Sequence, residues 1–218
     1  MNTKASAWIP LLPSHQLRAA QDVVAACAEG EELALWRSAE GLAQVWEDRC
    51  PHRGMRLSLG RVHAGRLACA YHGWEYEADG GRCGAIPAQP GAPLPRNLCV
   101  KTHAALDHGG MVWTCLGGAA APPQAAADAR ATTFCRSLAI RAGLGPVSQA
   151  LAAAGFEAVQ ALVWRGELAR EAVAAYLTPA RDGLTFLHAW SRIDARHPAF
   201  ASVMAALRRL RASIEAAP

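Results

Sequence analysis

Apolar residues in the N-terminal half of the chain come in short runs separated by turn residues. Residues 32–37 and 42–47 are two such runs, and the Ser-Ala-Glu-Gly segment between them favours a β-hairpin. Further strand-like runs follow at residues 66–69, 74–77 and 111–116. This spacing predicts a small antiparallel β domain within residues 1–117, with its strands starting at about residue 8.

The pattern changes in the second half of the chain. Residues 118–130 are rich in alanine and contain Pro-Pro, which predicts a linker. In the region that follows, residues 131–218, the alanine-rich stretch 146–165 predicts a helix. The strands of a predicted hairpin follow at residues 173–179 and 184–190. A final amphipathic helix is indicated by apolar residues at three- and four-residue steps: Phe200, Val203, Met204, Leu207, Leu210 and Ile214. The predicted fold class is therefore α+β.

Composition narrows the class of protein. The chain has 218 residues, of which 52% are hydrophobic and 18% charged, enough for a core and unlike a disordered chain. No apolar run reaches the roughly 18 residues of a membrane helix, and the first residues lack a signal-peptide core. The net charge of +4 comes without a dense basic stripe. We therefore expect a soluble cytoplasmic protein that binds neither membrane nor nucleic acid.

The cysteine count limits the possible chemistry. Seven cysteines are an odd number, and a cytosolic chain would not keep disulfides in any case. No C-x-x-C pair occurs, which argues against a zinc ribbon or a thioredoxin-type site. A subset is left to ligate a metal. The others are expected to be small buried hydrophobic residues: Cys27, Cys83, Cys99, Cys115 and Cys135.

Two short segments combine thiol and imidazole side chains. Cys50 and His52 lie in the first segment, and Cys69 and His72 lie in the second. Zinc fingers usually place Cys with Cys and His with His, whereas here each segment offers one of each. That distribution suits a binuclear iron-sulfur cluster in which both thiolates bind one iron and both imidazoles bind the other. A zinc-stabilised interaction module remains the alternative that needs no redox chemistry.

Residues 8–116 resemble the Rieske domain of the Rieske non-haem iron oxygenases. The motifs C-P-H-R-G, A-Y-H-G-W-x-Y, Asp79-Gly80, Ile86-Pro87 and Gly-Met-Val-Trp carry the resemblance. It implies a Rieske-type 2Fe-2S cluster held by the two cysteines and two histidines above. It also implies one-electron transfer, with a ferredoxin or a flavin reductase as the electron donor.

The resemblance excludes the respiratory type of Rieske protein. That type has a further cysteine in each ligand loop, where this chain has Met55 and Ala70, and a serine where this chain has Trp74. Fewer hydrogen bonds to the sulfurs favour the oxidised cluster. We therefore expect a reduction potential near the low end of the Rieske range, roughly −150 mV.

Two further groups of residues lie near the ligand motifs. Four arginines surround them and form either a solvated surface or a docking patch for an acidic redox partner: Arg53, Arg56, Arg61 and Arg66. His103 and His108 form an H-x4-H pair, which resembles half of an iron motif. His103 falls where the family has an aromatic residue, so an iron site there is not expected.

The second half of the chain resembles the oxygenase domain of the same family only weakly. In that family a helix with the pattern D-x-x-H-x4-H provides a bridging aspartate and two ligands of a mononuclear iron. Aligned by eye, these positions are Ala152, Gly155 and Gln160 in this chain. The final helix has no acidic residue between Asp194 and Glu215, and only about fifteen residues separate the first helix from the hairpin. The resemblance thus implies a shortened region that has lost its catalytic iron.

Besides the zinc-stabilised module, three redox functions remain open at this point. The favoured one is an auxiliary electron-transfer subunit, without mononuclear iron, in a hetero-oligomer with a catalytic Rieske oxygenase subunit. The second is a self-contained oxygenase with a rebuilt iron site, for which His188, Asp194 and His197 offer two imidazoles and a carboxylate. The third is a stand-alone Rieske ferredoxin with an unrelated C-terminal region.

Overall fold

A computed structural model describes residues 7–18, 23–118 and 133–217. Across these ranges the chain is mostly β-structure with two α-helices, as the predicted α+β class requires. Almost all of the predicted linker, residues 118–130, lies outside the described residues. Neither described helix has the length and apolar character needed to cross a membrane.

The N-terminal half consists of short strands and two 3-10 turns. The strands are β1 (Trp8–Pro13), β2 (Val24–Ala28), β3 (Glu31–Arg37), β4 (Ala43–Glu47), β5 (Arg61–His63), β6 (Arg66–Ala68), β7 (Glu75–Tyr76), β8 (Cys83–Ala85), β9 (Thr102–His108) and β10 (Met111–Cys115). The 3-10 turns are Ser14–Gln16 and Leu57–Leu59.

These strands form two antiparallel sheets. One has six strands in the order β1-β10-β9-β4-β3-β2, and the other has four in the order β5-β6-β7-β8. Trp36 and Trp46 are fully buried between the sheets, packed edge to face with ring centroids 4.9 Å apart. The same apolar cluster includes Cys50, Cys69 and Tyr76, so the core of this half extends to the base of the candidate metal loops.

The C-terminal half is one sheet with two helices. Its elements are β11 (Thr133–Ile140), α1 (Leu144–Ala153), β12 (Glu157–Gln160), β13 (Val163–Leu168), β14 (Glu171–Arg181), β15 (Leu184–Ser191) and α2 (Phe200–Glu215). The antiparallel sheet has the order β11-β15-β14-β13-β12. Both helices pack against it, with Val147, Leu151, Val203 and Leu207 buried. The predicted hairpin and the predicted final helix are both confirmed.

The two halves share a core. β14 contacts both β1 and β2, and one continuous apolar cluster includes residues of both halves. The Thr178 hydroxyl donates a hydrogen bond to the Pro10 carbonyl at 2.5 Å, and the Glu29 N–H donates to the Pro179 carbonyl at 2.6 Å. The C-terminal sheet is therefore packed onto the N-terminal sheet rather than tethered to it.

The predicted helix over 146–165 is wrong beyond Ala153. Gly155 follows the helix with φ +82°, a conformation that glycine adopts at little cost and that ends helices. The Phe156 N–H then donates to the Leu151 carbonyl at 3.0 Å, which closes the last turn. The chain continues into β12 and β13 because tertiary pairing with β14 outweighs the helical preference of the alanines.

Candidate metal centre

The two segments singled out in the sequence form loops with the same backbone hydrogen bonds. In each loop the cysteine N–H donates to the carbonyl five residues later, at 2.8 Å for Cys50 and 2.9 Å for Cys69. Gly54 and Gly73 donate back to the carbonyls of these cysteines at 2.8 and 3.0 Å. Both glycines have positive φ, +73° and +70°, so a side chain at either position would strain the loop. The two loops present their cysteines in equivalent ways.

The two thiols lie at the buried base of these loops. Cys50 and Cys69 are each only 2% exposed. Burial raises the pKa of the Cys69 thiol, and the neighbouring Cys50 adds to the effect. Two thiols held this close in an apolar setting need a cation to stabilise their thiolate forms, which is what an iron ion provides.

The two imidazoles lie at the solvent-facing end of the same loops. The Nδ1 atoms of His52 and His72 face each other at 3.2 Å, with the ring centroids 5.0 Å apart. The pKa of His52 is lowered by partial burial, then by His72 and Arg53. Two imidazoles with converging nitrogen atoms are suited to binding one metal ion together.

The donor set fits a binuclear cluster. In the part of the chain that the structure describes, no three His, Cys, Asp or Glu side chains are grouped to hold one metal ion. Instead, the four candidate ligands form one buried thiol pair and one solvent-facing imidazole pair. A Rieske cluster takes two protein ligands at each iron, so this arrangement suits it better than a single tetrahedral zinc ion.

Aromatic side chains cover both imidazoles. Trp74 stacks on His52 with ring centroids 4.0 Å apart and planes 9° apart. Tyr71 stacks on His72 at 3.7 Å and is 54% exposed. These contacts restrict the rotation of the rings and keep their nitrogen atoms in place.

Tyr76 is a site residue that the sequence reasoning did not single out. Its hydroxyl lies 3.1 Å from the Cys50 sulfur, and its side chain is fully buried. Burial, followed by the hydrogen bond to Cys50, raises the pKa of Tyr76, so the phenol stays protonated and is able to donate to a metal-bound Cys50 thiolate. The motif A-Y-H-G-W-x-Y contained the signal, because the second tyrosine is two residues beyond the tryptophan.

The cations nearest the loops are not simply the four arginines that the sequence indicated. Arg56 pairs with Glu32, and Arg66 pairs with Glu77 at 2.8 Å. Arg53 lies beside His52, in a shallow depression of about 290 Å³ that Arg49 and Lys101 also line. The cations nearest the imidazoles therefore come partly from residues that the sequence did not indicate.

The alternative iron site of His188, Asp194 and His197 is not assembled among the residues that the structure describes. His188 is buried, with its ring nitrogens in hydrogen-bond contact with Ser137 and Thr178. The other two residues serve the backbone of the segment before α2: Asp194 Oδ1 accepts from the Arg196 N–H at 2.8 Å, and His197 Nδ1 accepts from the Ala199 N–H at 3.2 Å.

The three positions that the resemblance aligns with the family's bridging aspartate and two iron ligands lie in different elements. Ala152 is in α1, Gly155 is in the turn after it, and Gln160 is in β12. Neither alanine nor glycine has a side-chain donor, and an amide is a poor iron ligand.

The remaining cysteines are mostly as expected. Cys83 and Cys115 are buried, and Cys27 and Cys135 are half-buried. Cys99 is exposed, so the expectation that it fills the core is wrong. It follows residues 84–96, whose many prolines and glycines hold that segment in turns rather than in a buried strand.

Comparisons with known proteins agree with this geometry. Residues 7–111 match the family model of the Rieske [2Fe-2S] domain. The oxidoreductase NdmD of Pseudomonas putida is 41% identical over 110 residues, which are 50% of this chain and 18% of NdmD. The oxygenase subunit of 3-chlorobenzoate-3,4-dioxygenase from Comamonas testosteroni is 37% identical over 111 residues, 50% of this chain and 26% of that protein.

Solved structures extend the similarity to the C-terminal half. An NdmA variant of Pseudomonas putida CBB5 with caffeine has a TM-score of 0.71 at 20% identity, covering 97% of this chain and 82% of that one. Dicamba monooxygenase bound to dicamba has a TM-score of 0.69 at 19% identity, covering 97% and 86%. Residues 7–111 therefore match the Rieske [2Fe-2S] domain family, whose cofactor is a 2Fe-2S cluster, and the fold of the described chain is similar to that of NdmA and dicamba monooxygenase.

Proposed function

We propose that this chain is an auxiliary electron-transfer subunit of a cytoplasmic Rieske oxygenase system. In this proposal Cys50 and Cys69 hold one iron of the 2Fe-2S cluster, and His52 and His72 hold the other. The chain has no mononuclear iron of its own and passes electrons to a catalytic subunit that has one. The observation that carries the proposal is that Ala152, Gly155 and Gln160 stand where the resemblance places the aspartate and the two histidines of the family's motif.

The division between buried and solvent-facing ligands supports an electron-transfer role. When bound, the cluster supplies a one-electron redox centre. The buried thiols keep one side of the site away from water, whereas the rings of His52 and His72 offer an edge that a partner can approach. Tyr76 holds the Cys50 sulfur through its hydrogen bond. These side chains provide binding, orientation and a contact edge, and none of them provides substrate chemistry.

The packing of the C-terminal half supports a subunit rather than a stand-alone ferredoxin. β14 packs on β1 and β2, and the two halves share a core, so the C-terminal region is part of the folded unit. A free electron carrier would not need such a region, whereas a subunit interface would. The proposed partner is therefore a catalytic Rieske oxygenase subunit in a hetero-oligomer.

The cations beside His52 support an acidic electron donor. Arg49, Arg53 and Lys101 line the depression next to this ligand together with one acidic residue, Glu47, so its formal charge is positive. Such a patch steers a negatively charged ferredoxin or flavin reductase towards the solvent-facing imidazoles.

A self-contained oxygenase is the second candidate. The observation in its favour is the extent of the fold similarity, which covers 97% of this chain in comparison with NdmA and dicamba monooxygenase. It requires an iron site built from residues outside the family pattern.

Purification alone and together with the products of neighbouring genes tests the proposal. We expect the chain alone to be inactive, and to form a stable complex with a catalytic oxygenase subunit in which substrate is oxidised. Oxidation in that complex should be lost in His72→Ala. A stable monomer that oxidises substrate without a second oxygenase subunit would overturn the proposal.

A further inference from the structure

A cavity of about 430 Å³ lies where the N-terminal sheet meets the C-terminal sheet. β1 and β2 form one side of it, and β11 and β15 form another. None of the four proposed cluster ligands lines it. Its size is that of pockets that hold small organic ligands.

Part of the cavity wall is apolar. Leu12 and Val24 line it from the N-terminal sheet, and Leu184 and Phe186 line it from β15. The Phe186 ring is nearly parallel to the His188 ring, with planes 20° apart and centroids 6.4 Å apart. A flat, apolar ligand would find an aromatic surface here.

The charges around the cavity cancel. Glu32 pairs with Arg56, and Asp48 accepts hydrogen bonds from the N–H and the hydroxyl of Ser58, both at 2.6 Å. With Arg181, the lining has two acidic and two basic side chains. The cavity therefore has no net preference for an ionic ligand.

On the C-terminal side of the cavity, the hydrogen bonds of His188 have assigned donors and acceptors. The Thr178 hydroxyl donates to the Pro10 carbonyl at 2.5 Å, so its oxygen accepts the Nε2–H of His188 at 3.1 Å. Burial lowers the pKa of His188 to about 4, although a backbone hydrogen bond to Leu11 acts in the opposite direction. The ring is therefore neutral at pH 7. Nδ1 is then an acceptor for the Ser137 hydroxyl at 2.6 Å.

These assignments determine which kind of hydrogen bond Ser137 can make with a ligand. Its hydrogen is taken by His188, so its oxygen has only lone pairs left for a group in the cavity. We propose that the cavity binds a small uncharged aromatic molecule with one O–H or N–H donor, such as a phenol. The ring lies against Phe186 and Leu184, and the donor group bonds to the Ser137 oxygen.

The site would connect the two halves of the molecule. Because its lining comes from both sheets, a ligand in it contacts both, and binding to the folded state alone raises the melting temperature. This inference does not depend on the electron-transfer role, since no cluster ligand takes part.

Calorimetry with 4-methylphenol and toluene on the cluster-loaded protein tests the proposal. The two probes have similar size and differ in the hydroxyl donor. We expect 4-methylphenol to bind at least tenfold more tightly than toluene, because only it satisfies Ser137. Equal affinity for the two probes, or no saturable binding of 4-methylphenol, would overturn it.

Two variants and a control identify the site. Ser137→Ala should weaken 4-methylphenol binding about tenfold and leave toluene binding unchanged. Ala25→Phe, at an exposed position of β2 that lines the cavity, should abolish binding of both probes. The matched control Ser213→Ala, on the exposed side of α2, should bind as the unmodified chain does. Unchanged 4-methylphenol binding in both Ser137→Ala and Ala25→Phe would assign the ligand to another place and contradict the proposal.

Discussion

Single residues account for the difference between the two ends of the metal centre. Cys50 and Cys69 are buried, while His52 is half-buried and His72 is exposed, because the loops rest on the apolar core with their cysteines inward. The grouping of these four residues could be predicted from the sequence, because each cysteine lies close to its histidine in a short segment. The approach of Tyr76 to Cys50 could not, because it depends on strands that pair only in the folded chain.

The Tyr76 hydrogen bond is expected to raise the cluster's reduction potential. Its donation to the Cys50 sulfur stabilises the reduced, more negative cluster, so Tyr76→Phe should lower the midpoint potential by on the order of 50 mV, equivalent to about 1 kcal/mol. A redox titration followed by visible absorption measures this. Tyr176→Phe is the control, since that buried hydroxyl contacts the Gly109 carbonyl instead and its loss should leave the potential unchanged.

His188 is expected to make stability depend on pH. Burial lowers its pKa from 6.5 to about 4 in the folded state, so between these values the unfolded chain binds a proton that the folded chain does not. The contribution of His188 to the free energy of unfolding is complete above pH 6.5. It is lost as the pH falls towards 4, and the loss amounts to at most about 3 kcal/mol. Urea unfolding from pH 4 to 8 measures it.

His188→Gln and His197→Gln separate this contribution from other acid effects. In His188→Gln the free energy of unfolding should fall less steeply between pH 6.5 and 4 than in the unmodified chain. The exposed His197→Gln should keep the full slope. Parallel pH curves for His188→Gln and the unmodified chain would show that His188 does not contribute.

At the scale of the elements, the hydrophobic pattern predicts strands better than it predicts where a helix ends. The β3–β4 and β14–β15 hairpins and α2 follow from local runs and turn residues. The alanine-rich residues 146–165 favour a helix throughout, yet residues 157–160 and 163–168 are strands. Pairing of β13 with β14 decides this segment, and such long-range pairing is not visible in a local pattern.

Gly155 is expected to stabilise the end of α1 by its backbone conformation alone. Its φ is +82°, and a Cβ added there would meet no atom within 4 Å, so Gly155→Ala should cost about 1 kcal/mol through backbone strain. Gly145→Ala, inside α1 and equally open, should be neutral or slightly stabilising because alanine favours a helix. Chemical denaturation measures the free energy of unfolding of both variants. Equal changes in the two variants would contradict the assigned role of Gly155.

At the scale of the whole molecule, the proposed function depends on the difference between the two halves of the chain. Residues 7–111 match the Rieske [2Fe-2S] domain family, and the described chain shares its fold with NdmA. The resemblance aligns Ala152, Gly155 and Gln160 with the aspartate and the two histidines of the family's motif, and our proposal depends on that alignment. In the structure these three positions lie in a helix, a turn and a strand.

Iron content is the most direct test of the central claim that the chain carries a 2Fe-2S cluster and no mononuclear iron. We predict about two irons and two acid-labile sulfides per chain in anaerobically purified protein, with the visible spectrum of a Rieske cluster. His52→Ala and Cys69→Ala should each abolish that spectrum. About three irons per chain with two sulfides, or a colourless protein that contains zinc, would contradict the account.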